Sequence, residues 1–304
     1  VMDFTSLFNM QGMMFCILAL GWYLRKSGMI DKSGKALLSS LVMNVTLPAS
    51  IVKSFQMEFS MDILKLTLEV IVISFLIQIF SNLLSRVLYP GWSEESKKVL
   101  QYATIVSNAG ILGNAIAEGI FGDLGIMYAA VYTIPTRIFM WSVGLTYFTE
   151  APTKKELLKK VVTHPCVLAC VLGIILMVTG LPLPLGLDGA VTAVGNCNTA
   201  MSMMVIGMIL ADIDLKDFWD WTVVKYTVHR LFVIPAVVYI VCSFLPLNKT
   251  VLGLCVLLAA MPAGATTSIL AEKYQVDSPF ATKMVIFSTL LSLPTICLWS
   301  IFLQ

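Results

Sequence analysis

Long apolar stretches separated by short connections run the whole length of this sequence, and they constrain the fold more than any other feature. A helix that crosses a bilayer needs roughly 20 mostly apolar residues. Only 12% of the 304 residues are charged, whereas a soluble domain has about 25%. The sequence therefore predicts an all-α integral membrane protein with ten transmembrane helices, numbered here as spans 1 to 10: 8–24, 37–55, 63–84, 99–121, 125–149, 165–180, 187–210, 222–244, 251–271 and 280–302.

Basic residues are distributed unevenly between the connections. Fifteen of the 20 Lys and Arg residues lie in or beside the odd-numbered connections and three in or beside the even-numbered ones. Because cytoplasmic connections are enriched in Lys and Arg, this alternation places the odd connections in the cytoplasm and both termini outside. The N-terminus lacks the basic region and cleavage site of a signal peptide, so we expect the first stretch to be retained as a span.

Short motifs recur in the two halves of the sequence. The segments 44–50 in span 2 and 196–202 in span 7 both begin with Asn and end with Ser, and Asn108 and Pro262 each precede an Ala-Glu pair by nine residues. Five spans per half is an odd number, so the second half would enter the membrane inverted. We therefore predict a first five-helix repeat over 1–149, a cytoplasmic basic linker over 150–164 that forms an amphipathic helix, and a second, inverted repeat over 165–304.

Spans 4 and 9 are interrupted by glycine, proline and small polar residues: 107–114 read SNAGILGN and 261–268 read MPAGATTS. Irregular backbone at that depth survives only when it is buried in protein or lines an aqueous cavity. Paired interruptions in two repeats are typical of a substrate site, although small residues also permit close helix packing. The candidate substrate-binding residues are Asn108, Gly110, Gly113, Asn114, Arg137, Pro262, Ala263, Gly264, Thr266, Thr267, Asn44 and Asn196.

Three ionisable residues inside spans extend this prediction. Arg137 lies near the middle of span 5, where a charge is costly and usually functional; it either binds a substrate carboxylate or pairs with Glu118. Glu118 lies late in span 4 and is the candidate for a coupling proton, unless it simply reaches the outer water. Arg230 lies about a third of the way into span 8, where we expect its side chain to extend to the cytoplasmic face in a structural role.

Signatures of catalysis are missing from the sequence, which contains no GxxxxGK[ST], HExxH or GxSxG motif. Cys166 and Cys170 have no His or further Cys beside them to complete a zinc set. We therefore expect a protein that is not an enzyme and that has no metal and no cofactor beyond a coupling H⁺ or Na⁺. The net charge of +2 gives no reason to expect a nucleic-acid partner.

Three of these segments, 44–50 around Leu47-Pro48-Ala49, 107–113 and 261–265, resemble the auxin efflux carrier family, which includes plant PIN-type carriers and bacterial malate-permease-like proteins. The resemblance runs through the whole chain. It implies a 5+5 inverted repeat in which helices 4 and 9 cross at their breaks. It also implies a support part (helices 1, 2, 6 and 7), a transport part (helices 3–5 and 8–10), an elevator-type movement, a homodimer and a small organic anion, such as the dicarboxylate malate, as substrate.

One position departs from the family pattern. The family usually has a proline two residues after the span-4 glycine, and this chain has Ala115 there. The first break would then depend on its glycines and asparagines. The short linker fits a prokaryotic member in the cytoplasmic membrane of a bacterium. Two alternatives remain open: a Na⁺-coupled carrier of the bile-acid-symporter type, and a non-transporting membrane sensor or scaffold with a carrier-like fold.

Overall fold

The computed structural model describes residues 4–56, 60–149, 153–212 and 220–303. Within these ranges the regular elements are helices, apart from one isolated β-bridge between Ser107 and Ala263. The α-helices there are α1 Phe4–Lys26, α2 Lys32–Leu41, α3 Leu47–Ser54, α4 Met61–Val87, α5 Glu94–Ile105, α6 Asn114–Phe139, α7 Lys154–Val162, α8 Pro165–Thr179, α9 Leu185–Asn196, α10 Asn198–Ala211, α11 Trp221–Val228, α12 Ile234–Ser243, α13 Lys249–Ala259, α14 Thr266–Lys273 and α15 Ser278–Phe302.

Several of these helices join into longer segments. π-Helical turns connect α2 to α3 and α11 to α12, while Cys197 alone separates α9 from α10. Among the described residues, six helical segments are long and apolar enough to cross a membrane: Lys32–Ser54, Met61–Val87, Ala109–Tyr147, Leu185–Ala211, Trp221–Ser243 and Ser278–Phe302. A seventh is added if α7 and α8, bent by 63°, form one span. The all-α membrane class is confirmed, while the ten spans and the inverted repeat stay predictions.

Gly122 divides α6 into two arms. Its φ of 62° and ψ of −146° are not helical, and glycine reaches such angles without a side-chain clash. A Cβ added to Gly125 would overlap the carbonyl oxygen of Ala117, although residues eight apart in a straight helix are separated by about 12 Å. The chain therefore folds back on itself at Gly122, which divides the long segment at the predicted connection between spans 4 and 5.

Helices α1 and α10 pack backbone against backbone. A Cβ on Gly21 would collide with the carbonyl oxygen of Met204, and one on Gly207 would collide with that of Leu18. Beyond the end of α10, Asp212 forms salt bridges with Lys35 and with Arg25, whose Nε lies 2.7 Å from Asp212 Oδ1. Partial burial raises the pKa of Asp212, but hydrogen bonds and charge attraction from Lys35 and Arg25 outweigh it, so the pKa is lowered overall.

The basic linker forms a short helix. Thr153 and Glu156 make a capping box at the start of α7, a motif that satisfies free N–H groups at a helix N-terminus. Leu158 is exposed, and the ammonium group of Lys160 lies 4.8 Å from the centre of the Trp141 ring. The first three residues of the predicted linker, 150–152, lie outside the described residues. The position of α7 on the cytoplasmic face stays a prediction.

Candidate functional site

The interruptions that follow α5 and α13 lie against each other. The N–H of Asn108 donates to the carbonyl of Pro262, with 2.8 Å between N and O, and the N–H of Gly264 donates to the carbonyl of Val106 at 3.0 Å. These two bonds make up the isolated antiparallel bridge. The two broken helices therefore meet at their breaks, and each supplies partners for backbone groups that the other has released from helical bonding.

The second break follows from its sequence. Pro262 has no N–H and disfavours helical conformation in the residue before it. Gly264 lies where the two segments approach most closely, because a Cβ on this residue would be 3.3 Å from the carbonyl oxygen of Ser107. The N–H of Ala263 donates to Ser288 Oγ on α15, at 3.2 Å. The backbone here is thus satisfied by protein groups, as a break at membrane depth requires.

The first break is built without proline. A π-helical turn over Ala109–Gly113 leads from the bridge into α6. A Cβ on Gly113 would lie 2.8 Å from Leu258 Cδ2, so the missing side chain lets this turn pack against the end of α13. Asn114 donates from Nδ2 to the carbonyl of Gly110 at 2.7 Å, which satisfies one of the carbonyls near the start of α6.

Arg230 connects the ends of the two helices that stop at the breaks. Its Nε donates to the carbonyl of Met261 at 2.8 Å, and its Nη1 donates to the carbonyl of Thr104 at 3.1 Å. Nearby, Tyr226 donates to the carbonyl of Ala103 at 2.9 Å. A cation is favourable at a helix C-terminus because of the helix dipole. Arg230 is only 3% exposed, so the prediction that it extends to the cytoplasmic face is wrong; its role at the crossing is structural.

Arg137 lies beside the first break and is 5% exposed. Its Nη1 is 3.5 Å from His164 Nε2, and the Cys166 thiol also lies near the guanidinium. Its Nη2 is next to Gly110, where a Cβ would be 3.9 Å away. Neither Nε nor Nη2 has a hydrogen-bond partner in the described part of the chain. The suggested ion pair with Glu118 is wrong, because the Glu118 carboxylate bonds to other groups.

Two further polar atoms at the breaks are buried without a partner among the described residues. They are Asn114 Oδ1 on the first break and Thr267 Oγ1 on the second, and both residues are fully buried. The neighbouring Thr266 accepts a hydrogen bond from the hydroxyl of Tyr102, at 3.3 Å. Most buried polar groups in proteins are hydrogen-bonded. Free donors and acceptors at one crossing therefore mark a place where a ligand or water would be bound.

Glu118 lies in a separate polar cluster. One carboxylate oxygen accepts a hydrogen bond from Ser50 Oγ on α3 at 2.7 Å, and the other accepts from Asn198 Nδ2 at 2.9 Å and from Thr199 Oγ1 at 2.7 Å, both on α10. The side chain is half-buried. The first arm of α6 is thus joined to α3 and α10 by three hydrogen bonds to one charged group.

Asn44 and Asn196 do not join either group of residues. Both are exposed, and Asn44 donates to the carbonyl and hydroxyl of Ser40 in its own segment. The buried asparagine of span 7 is Asn198, two residues after Asn196. Two residues along a helix turn a side chain to a different face. The segments 44–50 and 196–202 therefore supply Ser50, Asn198 and Thr199 to the Glu118 cluster, while the first residue of each segment is exposed.

The remaining substrate-site candidates from the sequence lie at or beside the crossing: Asn108, Gly110, Gly113, Asn114, Arg137, Pro262, Ala263, Gly264, Thr266 and Thr267. Sequence reasoning did not select Ser50, Thr199 or His164. Ser50 closes the repeated motif, which was a usable signal, whereas His164 comes close to Arg137 only through tertiary packing. Among the described residues, no three His, Cys, Asp or Glu side chains come together as a metal set.

Comparison with known proteins places the chain among transporters. It is 27% identical over 299 residues to an uncharacterized transporter of Methanothermobacter thermautotrophicus, covering 94% of this chain and 95% of that one. It is 21% identical to the uncharacterized transporter MJ1031 of Methanocaldococcus jannaschii, covering 93% and 94%. It is 23% identical to the uncharacterized transporter YfdV of Escherichia coli K12, covering 93% of both chains.

The family described as membrane transport protein matches residues 13–160 and 151–300. These matches extend over nearly the whole chain, including both breaks, Arg137 and Glu118. They agree with the resemblance to auxin efflux carriers and with the helical, apolar architecture. The chain is an integral membrane protein that belongs to the membrane transport protein family.

Proposed function

We propose that this chain is a secondary transporter for a small organic anion, such as a dicarboxylate of the malate type, which binds where the two broken helices cross. The observation that carries the proposal is the buried guanidinium of Arg137, which has no acidic partner in the described residues and leaves two nitrogens unbonded. A charge buried inside a membrane is costly. An anionic ligand would supply the missing partner.

The free edge of Arg137 suits a carboxylate. Nε and Nη2 lie on the same edge of the guanidinium, and such a pair of parallel donors binds the two oxygens of a carboxylate together. At an effective dielectric constant of about 20, opposite unit charges about 4 Å apart attract by about 4 kcal/mol. That free energy corresponds to roughly three powers of ten in affinity. The adjacent Gly110 has no side chain to block this edge.

The unpartnered Asn114 Oδ1 favours a substrate that also carries a hydroxyl group. Asn114 is joined to Gly110 by its amide nitrogen, and Gly110 is next to Arg137. A 2-hydroxy acid would present a carboxylate to Arg137 and a hydroxyl donor to this oxygen. The buried hydroxyl of Thr267 on the second break is available to a further polar group of the ligand. A hydroxydicarboxylate therefore uses more of the free groups than a simple monocarboxylate does.

Transport by this site would follow the elevator scheme of the resembled family. In this proposal α1–α3 and α8–α10 form the support group of helices, and α4–α6 and α11–α15 form the transport group that carries the anion. A H⁺ or Na⁺ gradient drives the movement, Glu118 is the residue that responds to the coupling ion, and the working unit is a homodimer in a bacterial cytoplasmic membrane. Both termini and the even-numbered connections face outside.

Ligand binding by the purified protein tests the assignment of Arg137. Thermal-unfolding shifts would be measured with malate, succinate, citrate and lactate, with and without Na⁺, at neutral pH and at about pH 5. We expect at least one carboxylate to stabilise the protein, and Arg137→Gln to weaken its binding roughly 30-fold to several thousandfold, because truncating a buried charged partner costs about 2–5 kcal/mol. Arg137→Lys keeps the charge but loses the paired donors, so its effect should be intermediate.

Thr133→Ala is the matched control for this experiment. Thr133 is also buried in the second arm of α6, and among the described residues its hydroxyl bonds only to the carbonyl of Ala130 in the same helix. This variant should bind the anion as the native protein does. Proteoliposomes would then be tested for uptake of the radiolabelled anion found in the screen. Full uptake by folded Arg137→Gln protein would contradict the proposed site.

A further inference from the structure

The two groups of helices defined above are joined by polar contacts on α6. The second arm of α6 brings Arg137 to within 3.5 Å of His164 before α8, and the corner after Gly122 places Asp123 Oδ1 3.1 Å from Lys53 Nζ on α3. The first arm carries Glu118 with its three hydrogen bonds to α3 and α10. Of these contacts, Glu118 makes the most hydrogen bonds, and all three depend on one titratable group.

The Glu118 carboxylate is not balanced by a cation. Within the described residues it forms no ion pair. Of the elements packed against it, α8 and α10 carry no charged side chain, α9 carries only Asp188, and the single charged residue of α3, Lys53, bonds to Asp123. The Cys197 thiol, between α9 and α10, donates back to the carbonyl of Ala193. In the part of the chain that the structure describes, the carboxylate is therefore stabilised by three neutral donors alone.

Protonation of this carboxylate would remove most of that stabilisation. Hydrogen bonds to an ionised acceptor are about twice as strong as neutral ones. After protonation one oxygen becomes a donor, so a hydroxyl of Ser50 or Thr199 would have to turn and accept. The Asn198 nitrogen can only donate, and its amide oxygen already lies 3.5 Å from Ser202 Oγ, which donates to it. The cluster thus suits the ionised form of Glu118 much better than the neutral form.

The packing around this contact is apolar and incomplete. A small apolar cavity of about 40 Å³ lies between the first arm of α6 and α15 on one side and α1 and α10 on the other. Ile116 of α6 and Cys297 of α15 line one side, and Leu18 of α1 and Met203 of α10 line the other. Apolar surfaces without interlocking polar groups resist sliding less than hydrogen-bonded ones. The hydrogen bonds of Glu118 are therefore the specific polar contact between the first arm of α6 and helices α3 and α10.

We propose that Glu118 is a proton-dependent contact between the two groups of helices: the ionised carboxylate fixes α6 to α3 and α10, and its protonation lets α6 move along them. The proposal rests on the transport function proposed above and specifies how a proton gradient would act on it. The proton comes from the water that reaches the half-buried carboxylate, forms an O–H bond with it and removes its negative charge. Coupling would then act through the helix interface, at a distance from the anion at Arg137.

The geometry favours a proton over Na⁺. The Ser50 and Thr199 hydroxyl oxygens lie 2.7 Å from carboxylate oxygens, which is the usual distance for a direct O–H···O bond. Asn198 presents its nitrogen to the carboxylate, and a nitrogen with two hydrogens is no ligand for a metal cation. A bound Na⁺ would also bridge the oxygens of both groups and strengthen the contact, whereas a proton weakens it.

The reactivity of Cys297 tests the proposal without any transported anion. Purified protein in nanodiscs would be treated with N-ethylmaleimide, and the labelling rate of the half-buried Cys297 would be divided by that of the exposed Cys16, which corrects for the general effect of pH on the fraction of reactive thiolate. At neutral pH we expect Glu118→Gln to change this ratio by roughly threefold or more relative to the native protein, through a shift in conformer population. At about pH 4, where a larger share of glutamate carboxylates is protonated, the native ratio should move towards that of the variant.

Two further variants keep the experiment decisive. The double variant Ser50→Ala/Thr199→Val retains the carboxylate but removes two donors, and at neutral pH it should change the ratio in the same direction as Glu118→Gln. Ser54→Ala is the control, because Ser54 is buried in the same helix α3 and its hydroxyl bonds, within the described ranges, only to the Ile51 carbonyl; its ratio should equal the native one. Identical ratios in all proteins at both pH values would overturn the proposal, and a change that requires Na⁺ would overturn the assignment of the proton.

The result of the Cys297 labelling experiment does not depend on whether an anion binds at Arg137. Unchanged Cys297 reactivity in Glu118→Gln would reject the proton-dependent contact and leave the anion-binding assay with Arg137 variants unaffected. Conversely, a failure of every carboxylate to bind would reject the proposed substrate class while the Cys297 measurement still stands.

Discussion

At the scale of single residues, Arg230 and Arg137 are both buried, and their different hydrogen-bond partners indicate different roles. Both lie inside predicted spans, and both are at most 5% exposed. Arg230 donates to two backbone carbonyls at the ends of helices, so its charge faces the negative ends of two helix dipoles. Arg137 has the His164 ring and the Cys166 thiol as polar neighbours, and two of its nitrogens have no hydrogen-bond partner among the described residues. Arg230 therefore supports the crossing, while Arg137 is available to a ligand.

Replacing Arg230 should destabilise the crossing. Arg230→Gln cannot reach both carbonyls, and each buried acceptor left without a partner costs about 1–3 kcal/mol. We expect a clear fall in the thermal-unfolding temperature of the purified protein in detergent. Arg86→Gln makes the same chemical change at the exposed end of α4 and should have little effect. Equal stability of the two variants would show that the guanidinium of Arg230 is not needed to join the broken helices.

At the scale of helices, glycine sets how closely two elements approach. Gly21 and Gly207 let α1 and α10 touch through their backbones, a mode of contact that small residues allow between membrane helices. Gly122 and Gly125 make the corner of α6 possible. The sequence indicates where glycines lie along a span. Which of them faces another backbone depends on the rotation of each helix, and that is a property of the packed molecule.

Gly207→Ala should separate α1 from α10. The added Cβ would collide with the Leu18 carbonyl oxygen and lie 2.8 Å from the Trp22 nitrogen, and backbone atoms cannot turn aside as a flexible side chain can. Overpacking of this kind typically costs about 1–3 kcal/mol, which would appear as a lower unfolding temperature. Gly186→Ala in α9 is the control, since its Cβ would meet nothing within 4 Å. A variant as stable as the control would contradict the backbone contact.

At the scale of the whole molecule, the alternation of basic connections predicts the orientation. Lys154, Lys155, Lys159 and Lys160 all lie on α7, in a connection assigned to the cytoplasm. The connection between α8 and α9 contains no Lys or Arg and is assigned to the outside. Between these connections lies α8, whose 15 residues include no charged side chain. Its predicted orientation depends on charge outside the lipid, independently of how the helices pack.

Labelling of introduced cysteines in intact cells tests this orientation. Leu185→Cys and Leu158→Cys replace residues that are 95% and 64% exposed, in a background where Cys16, Cys197 and Cys297 are changed to Ala. A membrane-impermeant maleimide should label residue 185 from outside, and residue 158 only after permeabilisation, because positively charged connections stay in the cytoplasm. The reverse pattern would invert the proposed topology.

The sequence by itself determined the class of the protein and the location of its breaks. Hydrophobicity sets the membrane class because apolar stretches of this length have lipid as their solvent, and Pro262 and the glycines interrupt helices through local backbone chemistry. Such effects act within a few residues, so they can be recognised from the sequence alone. They pointed to the two broken helices as the candidate site and to Arg137 and Glu118 as candidate functional residues.

Only the tertiary structure decided which groups meet. It joined Asn108 to Pro262, turned Arg230 inward onto Met261 and Thr104, and separated Glu118 from Arg137. It also exposed Asn44 and Asn196 while burying Asn198. The face that a helical residue presents, and its partner from a distant part of the chain, depend on how all helices pack together. Periodicity in a uniformly apolar span carries little information about that rotation.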